Sequence, residues 1–181
     1  MTDVFVERQW SEPLTEEGVY AMAAMAANCL DLHRVNWLGS LLSSNGIDVF
    51  CHFRGPDAES VRIAIQQAGS APGRVWACTI QDAPGTTPSD LAGANVLVGH
   101  TFDEPVAFGA HRVHVDVQIG CFQIHRARLV RSYLSADRRR VFSLYQAPDA
   151  ESVRIAHREA GLPPDCIWAV RRFAPDLPRD V

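Results

Sequence analysis

Apolar positions along the chain change period in a fixed order. Val4 to Gln9 is rich in β-forming residues and predicts a strand. Thr15 to His33 predicts a helix: Ala21, Ala23, Ala24, Ala26 and Ala27 favour it, and Glu16 and Glu17 sit near its positive N-terminus. Val35 to Ser43 is a strand, Asn45-Gly46 a hairpin turn, and Ile47 to Arg54 the return strand. A second helix opens at Pro56, with Asp57 and Glu59 in its first turn, and stops at Gly69, with Pro72 beyond. Val75 to Ile80 is the last strand. The order is β-α-β-β-α-β.

The same order then recurs at a constant offset of 92 residues, without a gap. Pro56-Asp57-Ala58-Glu59-Ser60-Val61-Arg62-Ile63-Ala64 returns as Pro148 to Ala156. Cys29, His33 and Arg34 match Cys121, His125 and Arg126, and Pro72, Trp76 and Ala77 match Pro164, Trp168 and Ala169. Between residues 4–80 and 96–172, 26 of 77 aligned pairs are identical, which marks a tandem duplication. The second hairpin turn falls at Asp137-Arg138. The expected domains are a first repeat at 1–80, a linker at 81–95, a second repeat at 96–173 and a tail at 174–181. The linker holds Pro84, Gly85, Thr86, Thr87, Pro88 and Ser89.

The element order is that of an α+β ferredoxin-like (βαββαβ) unit, twice. The third strand alternates Val49, Cys51 and Phe53 with Phe50 and His52, and its counterpart sets Val141 and Tyr145 against Phe142 and Leu144. Both faces are partly apolar, and helices on one side leave the other uncovered. The expectation is therefore that the two sheets pack face to face, as an intrachain pseudo-dimeric α/β barrel.

Composition narrows the class. The chain is 47% hydrophobic and 21% charged, with a net charge of −4, so it lacks the basic excess of a nucleic-acid binder. Arg138 to Arg140 form the only basic run, at a turn. No apolar stretch is long enough for a membrane span and no leader pattern opens the chain. Five cysteines, an odd number without framework spacing, fit a cytoplasmic protein with reduced thiols.

Two patterns could carry chemistry. Cys29 and His33 stand four apart near the end of the first helix, as do Cys121 and His125, so each pair lies on one helical face. A thiolate and an imidazole can share zinc, nickel or copper. The structural alternative is a core cysteine and a histidine at a helix C-terminus. In the second copy His111, His114, Gln118, Cys121 and His125 form one stripe, where the first copy has Val19, Met22, Ala26, Cys29 and His33. The candidate metal ligands are thus Cys29, His33, His111, His114, Cys121 and His125. Glu7, His52, His100 and Gln118 are candidate lining for the same space. The stripe makes copy two the better expected site. There is no Gly-rich phosphate loop, nucleophile elbow or CxxC pair, and no nucleotide or organic cofactor is expected.

The sequence also resembles a family of small domains, largely of unknown function, that includes a nickel-binding bacterial protein with a ferredoxin-like α/β fold. The resemblance rests on Val6-Glu7-Arg8, Cys-x-x-x-His-Arg, Trp37 with Ser40, the Pro-Asp-Ala-Glu-Ser-Val-Arg helix and the Ala-Gly…Pro…Trp close of each copy. Copy two departs from it at Gly99, His100 and Leu129. The resemblance implies a ferredoxin-like fold and nickel as a ligand.

Three functions follow as expectations. The first is a metal-binding protein for nickel, zinc or a similar divalent ion, serving sequestration or response. The second is a small-molecule enzyme, of isomerase or cofactor-free oxygenase type, using a histidine as acid or base in a barrel cleft. The third is a structural module that associates with copies of itself, for instance as a homodimer. Partners would be a metal ion or a small molecule, and neither nucleic acid nor a membrane.

Overall fold

The structure is a computed structural model and describes residues 1–106 and 119–175. Eight strands and five helices are described: β1 (Thr2–Gln9), α1 (Glu16–Leu32), β2 (Asn36–Ser43), β3 (Asp48–Gly55), α2 (Ala58–Gln67) and β4 (Arg74–Asp82), then α3 (Pro88–Ala92), β5 (Val96–Thr101), α4 (Ile119–Ile124), β6 (Arg128–Ser135), β7 (Arg140–Gln146), α5 (Ala150–Glu159) and β8 (Cys166–Phe173). None of the described helices is long and apolar enough to cross a membrane.

The hydrogen-bonded strand order is β1-β3-β2-β8-β5-β7-β6-β4, and it closes on itself as a barrel. The pairings of β1 with β3 and β4, of β2 with β3, of β5 with β7 and β8, and of β6 with β7 are antiparallel. This corrects the expected architecture. In place of tandem ferredoxin-like repeats with two sheets packed face to face as a pseudo-dimeric α/β barrel stands one closed eight-stranded β-barrel. The reason lies at the strand edges. Stacked sheets bury their apolar faces but leave rows of unpaired N–H and C=O groups, which closure removes. The last strand of each copy runs longer than its apolar pattern suggested, β4 to Asp82 and β8 to Phe173. Two compact units divide inside those strands: Met1–Cys78 with Arg171–Val181, and Thr79–Val170.

In the first unit, one face of the sheet buries Val4, Val6, Val49, Cys51 and Phe53 against Val19 and Leu30 of α1 and Val61, Ala64 and Ile65 of α2. Phe173, from the far end of the chain, joins this core and meets Tyr20 edge-on at 5.8 Å. On the other face Phe5 lies against Phe50 and Trp76. In the second unit Val96, Val98 and Tyr145 pack on Phe122 of α4 and on Val153 and Ala156 of α5. Its other face stacks Phe142 on Trp168.

The repeated nonamer is a helix-starting device. Asp57 and Asp149 are N-caps, and their carboxylates accept from the backbone N–H of Ser60 and Ser152, each at 2.7 Å. The helices therefore begin at Ala58 and Ala150, two residues after the proline expected to open them. Glu59 pairs with Arg62 and Glu151 with Arg154 on the outer face, while Val61, Ala64, Val153 and Ala156 are fully buried. The hairpin turns hold Gly46 at φ 74° and Arg138 at φ 59°. Both copies also shift register in the second strand, at Trp37/Gly39 and at Leu129/Arg131, which marks the same β-bulge twice.

Candidate functional site

Copy one has a space between its first helix, its sheet and the end of its second helix. It is a cleft lined by Arg8, Val19, Met22, Ala23, Ala26, Leu30, Trp37, Ser40, Cys51, Phe53, Ile65, Ala68 and Ser70. Four of these make a chain of donors. The Trp37 indole N–H donates to Ser40 Oγ at 3.0 Å, and the Ser40 hydroxyl donates to Cys51 Sγ at 2.9 Å. The Arg8 guanidinium donates to the same sulfur at 3.2 Å.

At the offset of 92 the positions aligned with this lining carry a different chemistry in copy two. Arg8 becomes His100, Cys51 becomes Ser143, Phe53 becomes Tyr145 and Ile65 becomes His157. His157 is fully buried on α5 and His100 nearly so on β5. Their rings lie 5.2 Å apart, and His157 also meets Phe122 and Tyr145 edge-on. One backbone carbonyl serves both: Leu162 O accepts from His157 Nδ1 at 3.2 Å and from His100 Nε2 at 3.4 Å. A carbonyl only accepts, so both contacting nitrogens carry their proton. That assigns neutral His100 to the Nε2–H tautomer and neutral His157 to the Nδ1–H tautomer, with lone pairs on His100 Nδ1 and His157 Nε2. Burial lowers the pKa of His100, although the Leu162 carbonyl and Asp165 oppose this. The Tyr145 hydroxyl is buried and has no hydrogen-bond partner among the described residues, and burial raises its pKa.

The sequence candidates fall in several places. His33 is the C-cap of α1, and its Nε2 lies 2.8 Å from Gln67 Oε1 at the end of α2. His125 repeats this contact with Glu159 at 2.9 Å. Both histidines thus tie the first helix of their copy to the second. Arg34 and Arg126 follow in the left-handed region at φ 56° and 53°, and the next N–H returns to Leu30 O or Phe122 O. Cys29 is half-buried on α1, and Cys121 packs beside the second unit's core. Glu7 accepts from the Trp76 indole at 2.7 Å, and His52 lies 2.9 Å from Asp3. Of the proposed lining, only His100 belongs to the pair on Leu162. His111, His114 and Gln118 lie outside the described residues. No group of three or more His, Cys, Asp or Glu of metal-binding geometry occurs among the described residues.

Sequence reasoning passed over His157, Tyr145, Arg8 and Cys51. A signal for the first existed. The shared nonamer ends at Ala156, and the next position changes from Ile65 to His157, an apolar-to-imidazole change of the kind noted on the first helix.

Comparison with known proteins adds a family. The model described as "Nickel responsive protein SCO4226-like" matches residues 5–77 and 101–170, one stretch in each copy. No curated protein matches the chain. Among solved structures, SCO4226 from Streptomyces coelicolor A3(2) is 15% identical, with a TM-score of 0.38 over 48% of this chain and 100% of its own. TA0507, described as a candidate chlorite dismutase, is 12% identical, with a TM-score of 0.50 over 95% of this chain and 94% of its own. An anthrone oxidase-like protein is 6% identical at a TM-score of 0.46, over 97% of this chain and 94% of its own. At such identities the likeness to TA0507 concerns the fold alone.

Proposed function

We propose, since the chain belongs to the SCO4226-like family of nickel responsive proteins, that it binds nickel or a similar divalent transition metal and that copy two holds the stronger site. The observation that carries this reading is the pair of imidazoles on Leu162. Histidine ligands to metals nearly always donate their second ring N–H to a carbonyl or carboxylate, which fixes the tautomer that presents a lone pair. His100 and His157 already make that contact. The Tyr145 hydroxyl beside them is an orphaned buried polar atom, as expected where a polar ligand completes a site. Imidazole nitrogen suits nickel, zinc and copper alike. His111 and His114 are proposed as further ligands from their sequence positions. Cys29, His33, Cys121 and His125 are proposed as a weaker set, because both histidines spend a ring nitrogen on a neighbouring helix. Metal binding would serve sequestration or response.

The test uses protein purified without a histidine tag and titrated with nickel and zinc by calorimetry. His100→Phe and His157→Phe keep the apolar packing and remove the donors. Each should weaken binding about tenfold or more, whereas Cys29→Ala with His33→Ala should change it little. No binding in the parent protein removes the metal reading. Equal losses from both sets remove the claim that the copies differ.

A further inference from the structure

Where copy two has imidazoles, the copy-one cleft holds a cation. Arg8 makes no ion pair among the described residues: its guanidinium reaches only the Cys51 sulfur and the face of Trp10, at 5.9 Å. Its Nε is buried and has no hydrogen-bond acceptor. A guanidinium cannot shed its proton to escape this cost, so a half-buried arginine with a sealed Nε favours an anion beside it. The Ser40 hydroxyl and the Trp37 indole are neutral groups and supply none, and both direct their protons along the chain that ends on Cys51. Apart from Ser70 the rest of the lining is apolar: Val19, Met22, Ala23, Ala26 and Leu30 come from α1, and Phe53 and Ile65 from the sheet and α2.

We propose that this cleft binds a short-chain monocarboxylate, its carboxylate on Arg8 and its alkyl end against the alanine and methionine side chains of α1. A planar carboxylate matches the guanidinium fork, which a spherical anion does not. An apolar wall opposite one cation selects an acid with a hydrocarbon end over an inorganic oxyanion. The cavity volume of about 30 Å³ limits the size. Copy two has His100 in place of Arg8 and is not expected to take this ligand. This inference does not rest on the metal reading, and the two sites have no residue in common.

The reporter is the Trp37 indole N–H, which lines the cleft and can be followed by nitrogen–proton correlation spectroscopy of the full chain. Titration with butyrate should shift that signal saturably, with acetate weaker by about fourfold for each methylene removed. The Trp168 indole, in copy two, should stay in place. Propan-1-ol, which keeps the alkyl end without the charge, should produce no saturable shift. Arg8→Gln should weaken butyrate at least tenfold. Should that variant fail to fold, Ala26→Leu, which fills the cleft from the helix side, should abolish the shift. The proposal is overturned if butyrate leaves Trp37 unmoved, or if phosphate or the alcohol shifts it as strongly. It is also overturned if either folded variant binds butyrate as the parent does.

Discussion

Single side chains differ sharply in what the fold does to them. Burial pushes the Cys78 thiol up to about 12, with the Asp3 carboxylate adding to the effect, while Cys166 is exposed. The nucleophile in alkylation is the thiolate. Iodoacetamide at mild alkaline pH should therefore label Cys166 first and leave Cys78 unmodified in the folded chain, as mass mapping would show; labelling of Cys78 at the rate of Cys166 would contradict its burial. Asp3 shows the opposite outcome. Burial alone would raise its pKa, but hydrogen bonds from His52 and Arg54 and their charges outweigh this and lower it below 3.8. The sign follows: a depressed carboxylate stabilises the fold above its ordinary pKa, and that contribution is lost as pH falls through the folded value. Asp3→Asn should cost about 1 kcal/mol at neutral pH and should flatten the loss of urea resistance as pH falls below 3.8. An unchanged acid slope would show that other carboxylates set it. Among these residues Cys51 and Arg8 were the least legible from the sequence, because what brings them together is the antiparallel register of β1 on β3, which no local pattern spells out.

At the level of elements, the sequence was most informative where a motif is also a device. The nonamer encoded two helices, and the structure shows how: an aspartate cap, a surface ion pair one turn on, and a buried stripe. Asp57→Ala and Asp149→Ala should each lower stability by about 1 kcal/mol, the ordinary worth of such a cap. Equilibrium unfolding of each variant checks this, and a loss near zero would mean that packing alone holds the helix start. Cys-x-x-x-His-Arg reads differently after the fold than before it. The sequence suggested a ligand pair; the arginine at its end proves to occupy the left-handed turn that closes the first helix in both copies. Such a conformation costs a non-glycine residue about 1–2 kcal/mol. Arg34→Gly should recover part of that, raising the unfolding midpoint, and a drop would show that the arginine side chain holds the turn. Positive φ at an arginine cannot be read from sequence, where glycine or asparagine is the expected signal.

For the whole molecule, duplication and element order were legible, and the closing of the sheet was not. Hydrophobic alternation tells which face of a strand is apolar; it carries no information on which strand pairs along an edge. β4 and β8 also extend, to Asp82 and Phe173, beyond the apolar runs used to place those strands. One consequence is sharp. The first unit consists of Met1–Cys78 together with Arg171–Val181, so the first copy alone is not a complete unit. A fragment of residues 1–80 lacks Phe173, which is buried among Tyr20, Val19 and the other core residues of that unit. It also lacks the strand end whose backbone Gly39 approaches: a Cβ at Gly39, where φ is +148°, would stand 2.8 Å from Phe173 O. The expected outcome is that fragment 1–80 shows no cooperative thermal transition, and that Phe173→Ala in the full chain costs about 3–5 kcal/mol. The fragment's melting, followed by circular dichroism, and the variant's urea unfolding are independent readings of the same claim. A fragment that melts cooperatively near the temperature of the full chain would show that the duplicated sequence folds copy by copy. A fragment that gains its transition only when residues 81–181 are added would show that the last strand of copy two is part of the first unit's fold.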